Sequence, residues 1–155
     1  MTPANEPAPE ALDVTEAPDV TEATGAIDSL AWIFVRQRRL LSVRTRGKRK
    51  FYLPGGKREA GESDVAALCR EIREELGVEL DPWSFSLFAV LDERADGFAD
   101  GRRVHLTCYT ARHRGELVPG REIAEASWLT TADAAVCPPA GHRVLGMLRD
   151  RDLID

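Results

Sequence analysis

The chain has 155 residues, of which 43% are hydrophobic and 30% charged, and its formal net charge at pH 7 is −5. These values are typical of one soluble globular domain and exclude collagen-like, mucin-like and wholly disordered proteins. No apolar run approaches the roughly 20 residues that cross a bilayer, and the N-terminus lacks the basic and apolar regions of a secretory signal. Three widely spaced cysteines form no disulfide framework, so we expect a cytoplasmic protein with no membrane partner.

The negative charge is concentrated at the N-terminus. Residues 1–28 contain seven acidic residues and no Lys or Arg, which leaves 19 acidic residues against 21 Lys and Arg in the remainder. Residues 1–27, rich in Pro, Ala, Glu and Thr, are predicted to form a disordered tail, because they bury too little apolar surface to offset the entropy of ordering. Two interpretations of the tail stay open, namely a segment that docks on a partner and a low-complexity tail that only increases solubility. Residues 28–155 are predicted to form the domain, whose nearly neutral charge argues against nucleic acid as a partner.

The first half of the domain begins with predicted strands. Residues 30–35 form an apolar, β-branched and aromatic run that is typical of a buried strand, and residues 40–46 are predicted to be its hairpin partner. Residues 47–50 are predicted to turn, and residues 51–53 to form a short strand. Residues 54–56, with the sequence Pro-Gly-Gly, are expected to break regular structure.

The clearest helix is predicted between Ser63 and Leu76. Ser63 is a favourable N-cap, Asp64 places an acid at the positive end of the helix dipole, and Gly77 is suited to the left-handed C-cap. Apolar residues recur at spacings of three and four, which predicts one buried stripe. The stripe consists of Val65, Leu68, Cys69, Ile72 and Leu76.

The second half of the domain alternates predicted strands and short helices. Strands are predicted over residues 85–91, over residues 104–111 and near residues 125–129, and helices over residues 131–135 and 142–149. This alternation predicts an α+β domain in which helices cover a mixed sheet.

Four glutamates lie on the predicted helix or just before it. Glu71, Glu74 and Glu75 fall within an arc of roughly 100° beside the apolar stripe, and Glu62 precedes the N-cap. These like charges repel one another, and Arg70 alone does not neutralise them. A solvated acidic face is the ordinary interpretation of such a cluster. Its place beside the buried stripe, after a Gly-Gly turn, favours instead a site for a hard divalent cation such as Mg²⁺.

The glutamates also belong to a longer motif. Gly56 is followed after five residues by Glu62, and after seven more by Arg70-Glu-Ile-Arg-Glu-Glu-Leu-Gly-Val78. At every defined position of this 23-residue stretch the chain resembles the Nudix box. The wider resemblance to Nudix hydrolases covers about residues 29–155. It implies an α/β/α sandwich around a mixed sheet, and hydrolysis of a nucleoside diphosphate linked to another moiety with Mg²⁺ or Mn²⁺.

The resemblance implies roles for the motif residues. Glu71, Glu74 and Glu75 match the metal-binding glutamates, and the carbonyl of Gly55 matches a backbone ligand. Either Glu74 or Glu71 is expected to activate the attacking water. Gly56 permits the close turn of the loop.

Further residues are assigned by the same resemblance. Glu62 matches the glutamate that supports the metal cluster and orients Arg70. A later acid, either Glu122 or Glu125, is expected to complete the metal site or to act as a base, and the sequence does not choose between them.

Three basic residues are candidate phosphate ligands. Lys57 directly follows the Gly-Gly turn. Arg44 is the candidate that matches the arginine contacting phosphate in related enzymes, and Arg46 is the second candidate. The other interpretation is that they are solvated side chains of the basic segment 36–50.

The resulting functional prediction is a housecleaning pyrophosphohydrolase of nucleoside di- or triphosphates or related nucleotides. The alternatives are an RNA 5′-end pyrophosphohydrolase and a non-catalytic Nudix domain that binds a nucleotide and regulates a partner. Dimers are common in the family, so a homodimer is left open.

Overall fold

A computed structural model describes residues 26–155, and the predicted disorder of the first 25 residues lies outside the described residues. The strands are β1 (Ile27–Trp32), β2 (Val35–Arg36), β3 (Arg39–Thr45), β4 (Gly55–Gly56), β5 (Glu79–Leu80), β6 (Ser86–Arg94), β7 (Arg103–Thr110), β8 (His113–Arg114) and β9 (Ile123–Leu129). The helices are α1 (Asp64–Leu76) and α2 (Pro139–Asp150), with 3₁₀ turns at Pro82–Ser84 and Thr131–Val136. β1 therefore begins one residue before the predicted domain boundary.

The strands form a mixed sheet arrangement, as predicted. One sheet has the order β4-β1-β7-β6, in which β1 and β7 run parallel and the other neighbours antiparallel. A second sheet, β2-β3-β9, is antiparallel throughout. β5 and β8 form a separate two-residue pair.

The two helices cover opposite faces of these strands. Leu30 and Trp32 of β1 belong to the same buried cluster as Ile72 of α1. The alternate β1 residue Ala31 belongs to the other cluster, which contains Val144 of α2. Because successive side chains of a strand point to opposite faces, β1 separates two apolar layers. This arrangement confirms the predicted α/β/α sandwich.

Helix α1 has the ends and the buried face that its sequence predicts. The Ser63 Oγ accepts a hydrogen bond from the Ala66 backbone N–H at 3.1 Å. Gly77 adopts the left-handed conformation with φ +71°, and its N–H donates to the Arg73 carbonyl. The apolar stripe packs into the core, with Leu68, Cys69, Ile72 and Leu76 all buried.

The prediction for the loop before α1 was wrong in two respects. Residues 51–53 form no strand, and only Tyr52 makes a single bridge, to Val43. Gly55 and Gly56, which were expected to break regular structure, form β4 against β1. A Cβ on Gly55 would lie 2.0 Å from the Leu30 carbonyl oxygen, so this close pairing requires a residue without a side chain.

The predicted hairpin between residues 30–35 and 40–46 forms only at its turn, where Val35 pairs with Leu40. β3 pairs with the short β2 and with β9, whereas β1 pairs with β4 and β7. The two-residue strands β5 and β8 were not predicted, since runs of that length carry no periodic signal.

Within the part of the chain that the structure describes, no helix is both long enough and apolar enough to span a membrane.

Candidate active site

Glu75 is the buried end of the acidic cluster. Helix α1 places it beside the apolar stripe, where its residue exposure is only 6%. Its Oε1 accepts a hydrogen bond from the Gly55 backbone N–H at 3.0 Å. Burial is the main cause that raises the pKa of Glu75 to about 8. The Gly55 bond opposes this effect, and the nearby charges of Glu71 and Glu122 add to it. Such a carboxylate is costly to ionise unless a cation compensates it.

Glu71 lies against the glycine loop, one turn before Glu75. A Cβ on Gly56 would lie 2.4 Å from the Glu71 Cδ, so the carboxylate occupies space that only a glycine leaves free. Burial raises the pKa of Glu71, although its bond with Arg70 opposes that effect. Strand β4 thus presents backbone to both Glu71 and Glu75.

Arg70 connects the loop to the helix through several hydrogen bonds. Its Nε and one terminal nitrogen donate to the two carboxylate oxygens of Glu62 at 2.7 and 2.9 Å. The Arg70 bonds, and a backbone bond from Glu59, lower the pKa of Glu62 to about 2. Arg70 also donates to the Lys57 carbonyl at 3.0 Å and to Glu71 at 3.1 Å. The structure therefore brings Glu62 and Arg70 together as predicted.

Glu74 accepts hydrogen bonds from two arginine side chains. Arg70 donates to its Oε1 at 3.4 Å, and Arg121 donates to the same oxygen. Arg121 has a positive φ of 54°, which is uncommon outside glycine. Its loop is attached to the site, because the Gly120 N–H donates to the Glu75 carbonyl at 2.9 Å. The sequence analysis missed Arg121, since only long-range folding brings it to α1.

The two later acids have different surroundings. Glu125 lies opposite Arg44 in the β3–β9 register, and its Oε1 accepts from the Arg44 guanidinium at 3.1 Å. Glu122 lies in the loop before β9 and is close enough to Glu75 for its charge to raise the pKa of Glu75. Glu122 is therefore near enough to affect Glu75, whereas Glu125 is paired with Arg44.

The candidate phosphate ligands are not gathered at one point. Arg44 donates to Glu125 and to the Lys48 carbonyl, and Arg46 donates to the Arg121 carbonyl at 3.0 Å. Lys57 is exposed on the loop before α1. Arg44 and Arg46 thus donate hydrogen bonds to other protein groups in this structure, while Lys57 is exposed to solvent.

A cavity of about 360 Å³ adjoins the acidic cluster. Gly55, Gly56 and Glu75 contribute to its lining, and so do Asp96 and Phe98 of the β6–β7 loop. Its volume falls within the range of about 300–1,000 Å³ that is usual for small-molecule sites. No local pattern in the sequence connects this loop with the site, since only folding brings it to the cavity.

The donor set fits a hard divalent cation. Glu71, Glu74 and Glu75 offer clustered carboxylate oxygens, the ligands that Mg²⁺ and Mn²⁺ prefer. Among residues 26–155, no three acidic, His or Cys side chains converge closely enough to hold a metal as they lie. Arg70 donates to an oxygen of Glu71, and both Arg70 and Arg121 donate to an oxygen of Glu74. Holding a metal therefore requires these carboxylates to converge further than they do in this arrangement.

Comparisons with known proteins agree with the site. The family model of the NUDIX domain matches residues 27–149. The "Putative 8-oxo-dGTP diphosphatase 2" of Mycobacterium tuberculosis (strain CDC 1551 / Oshkosh) is 36% identical over 84 residues, 54% of this chain and 56% of that protein. The "Nucleoside triphosphatase NudI" of Escherichia coli O17:K52:H18 is 36% identical over 91 residues, 52% of this chain and 62% of that protein. The chain thus matches only about three fifths of the length of these relatives.

Solved structures with the same fold cover more of the chain. The crystal structure of a MutT NUDIX hydrolase from Burkholderia pseudomallei has a TM-score of 0.60 at 26% identity, covering 77% of this chain and 95% of that one. The solution structure of the E. coli ORF135 protein has a TM-score of 0.60 at 25% identity, and the match covers 83% of this chain and 94% of that one. Since the family model spans most of the chain and these structures share its fold, the chain belongs to the Nudix family of hydrolases.

Proposed function

We propose that this protein hydrolyses the pyrophosphate linkage of nucleoside di- or triphosphates with Mg²⁺ or Mn²⁺. The observation that carries the proposal is Glu75, a buried carboxylate among like charges that lines the 360 Å³ cavity. A buried acid of this kind is costly to the fold, so its placement is best explained by a cationic ligand.

The proposed ligands of the metal are Glu71, Glu74 and Glu75, with the Gly55 carbonyl. When bound, the metal supplies positive charge where negative charge develops on the phosphoryl and leaving oxygens. Either Glu74 or Glu71 would accept the proton of the attacking water, and both carboxylates lie within reach of Arg70, which orients them.

The surrounding residues have supporting roles in the proposal. Glu62 aligns Arg70 through its two bonds, and Glu122 adds negative charge near Glu75. Lys57 is the proposed phosphate ligand that has an exposed side chain next to the glycine turn. Arg44 and Arg46 would reach phosphate only by leaving Glu125 and the Arg121 carbonyl.

The names of the relatives support a free nucleotide as the substrate. One is named for 8-oxo-dGTP and the other for nucleoside triphosphates. The near-neutral charge of residues 29–155 favours small nucleotides over nucleic acid. Cys69, Cys108 and Cys137 are all free thiols, which is consistent with a proposed cytoplasmic location.

The test is release of phosphate and pyrophosphate across a panel of nucleoside di- and triphosphates, oxidised guanine nucleotides and nucleotide sugars. Each substrate is assayed with Mg²⁺, with Mn²⁺ and with a chelator. We expect metal-dependent release that Glu75→Gln reduces by about 100-fold or more. Glu79→Gln is the matched control, since Glu79 lies just after α1 and pairs with the exposed Arg73.

Two outcomes would contradict the proposal. Near-normal turnover by Glu75→Gln would remove the metal assignment. No release from any nucleotide by the folded wild-type protein would favour the non-catalytic binding domain instead.

A further inference from the structure

The cavity that Glu75 lines has a second acidic residue in its lining. Asp96 lines the cavity, although most of the remaining lining is apolar. The Lys50 Nζ donates to Asp96 Oδ1 at 2.7 Å, and the Tyr52 hydroxyl donates to Oδ2 at 2.8 Å. The Lys50 bond is the main cause that lowers the pKa of Asp96, so the group is an ionised, acceptor-only carboxylate.

The neighbours that hold the Asp96 carboxylate are themselves bonded to the rest of the fold. Tyr52 is bonded through its backbone to Val43 of β3 in both directions, at 2.7 and 2.8 Å. Burial and the Asp96 bond raise the pKa of Tyr52 to about 12, so its hydroxyl remains a donor. The loop itself is closed by a bond from the Ala95 N–H to the Arg102 carbonyl.

Phe98 completes this side of the cavity. It is 39% exposed despite its large apolar ring, and Arg102 covers one face at 4.6 Å from the ring centroid. An aromatic ring next to a fixed carboxylate suits a nucleobase, which offers both a flat apolar face and hydrogen-bonding edges.

We propose that Asp96 is the residue that selects the base of the nucleotide, and that it selects guanine-type bases. This inference rests on the proposed function and adds the substrate class to it. Each Asp96 oxygen makes one bond to the protein and can accept another. Guanine presents two adjacent donors, N1–H and the N2 amino group, which match the two oxygens of a carboxylate.

The neighbouring ammonium groups strengthen the match. Guanine O6 is an acceptor beside N1–H, and Lys50 lies 2.7 Å from Asp96 Oδ1, while Lys48 also lines the cavity. Adenine places the N1 lone pair where guanine has a donor, so it would meet the Asp96 charge unfavourably. Because 8-oxoguanine keeps the same N1, N2 and O6 edge, the proposal includes oxidised guanine nucleotides.

The experiment compares kcat/KM for dGTP, dITP and dATP, which share the purine ring and the triphosphate. Hypoxanthine keeps N1–H but lacks the N2 amino group, so dITP isolates one of the two bonds. We expect the order dGTP, dITP, dATP, with dGTP preferred over dATP by about 10-fold or more. Equal values for dGTP and dATP in the wild-type protein would overturn the proposal.

The variant Asp96→Asn tests the residue itself. Its carboxamide offers one acceptor and one donor, which match the adenine edge, so the dGTP-to-dATP ratio should fall by about 10-fold or more. Asp100→Asn is the control, since Asp100 lies in the same loop, pairs with Arg102 and is exposed. An unchanged ratio in a folded Asp96→Asn protein would overturn the assignment, and if this variant does not fold, the wild-type order of the three purines decides it.

A binding measurement separates this inference from the proposed function. Calorimetric titration of the wild-type protein and Asp96→Asn with dGMP and dAMP requires no turnover. If no nucleotide is hydrolysed but dGMP binds more tightly only in the wild type, the hydrolase proposal fails and the Asp96 assignment stands. If hydrolysis is metal-dependent but both bases bind and react equally, the Asp96 assignment fails and the hydrolase proposal stands.

Discussion

Glu75 is the only Asp, Glu, Lys or Arg among residues 26–155 that is buried. The Gly55 N–H reduces the free-energy cost of ionising the buried Glu75 carboxylate but does not remove it. Burial, together with repulsion from Glu71 and Glu122, raises the pKa of Glu75 to about 8. In the metal-free protein, folding therefore favours the protonated form of this side chain.

This raised pKa predicts how stability depends on pH. The Glu75 pKa is about 8 in the folded protein against 4.5 ordinarily. Between these values the folded state binds the proton that the unfolded state has lost, so the free energy of unfolding decreases as pH rises. The contribution is complete below about pH 4.5 and is lost as pH rises through about 8. Urea unfolding with chelator at pH 5, 6, 7 and 8 should show a steeper decrease in the wild type than in Glu75→Gln.

The matched control for this titration is Glu79→Gln. Its bond with Arg73 lowers the pKa of Glu79, so its removal should leave the decrease between pH 5 and 8 in place. Parallel curves for wild type and Glu75→Gln would show that Glu75 is already ionised throughout this range.

Arg70 provides a second prediction at the residue scale. Its side chain is 19% exposed and bonds Glu62, Glu71 and the Lys57 carbonyl. A lysine keeps the charge but not the planar fork, so Arg70→Lys should lower the free energy of unfolding by about 1–3 kcal/mol. Arg73→Lys, on the same helix but 53% exposed, should cost less than about 1 kcal/mol. Equal losses in urea unfolding would mean that the Arg70 bonds carry no special stability.

Helix α1 and strand β4 form the site as a unit. The helix presents Glu71 and Glu75 at a spacing of four residues, and β4 brings a bare backbone up to both carboxylates. The close approach depends on glycine at Gly55 for the pairing with β1 and at Gly56 for the position of Glu71.

Gly56→Ala tests this unit at the element scale. The new Cβ would lie 2.4 Å from Glu71 Cδ, so the carboxylate must move, and we expect kcat to fall by about 10- to 100-fold. Gly146→Ala in α2 is the control, because open space surrounds a Cβ there. It should preserve activity and raise the free energy of unfolding by about 0.5–1 kcal/mol. Full activity in Gly56→Ala would show that the observed position of Glu71 is not needed.

At the scale of the whole molecule, all the proposed site residues lie within residues 26–155. The tail before them contributes six carboxylates and no basic residue. We therefore predict that removing residues 1–25 changes kcat/KM by less than about twofold at physiological ionic strength, where distant charges are screened. Steady-state kinetics and thermal unfolding of the shortened chain check this, and a large loss of activity would show that the tail takes part in the site.

Local features of the sequence were sufficient to predict helix α1 and the glutamates that it presents. The Ser63 cap, the apolar stripe and the Gly77 cap all act within one or two turns, so the helix could be predicted from its own residues. The same helical spacing places Glu71, Glu74 and Glu75 on one side of the helix from their positions in the chain alone.

The sequence by itself therefore determined the helix, the glutamates it presents and the α+β class, because these depend on interactions between residues close in the chain. Only the tertiary structure decided the rest. It paired β1 with β7 and β4, and it brought Arg121 to Glu74. It also placed Asp96, which accepts bonds from Lys50 and Tyr52, on the cavity beside Glu75. These contacts join residues more than 20 positions apart, and their formation depends on the packing of both core layers rather than on any local preference.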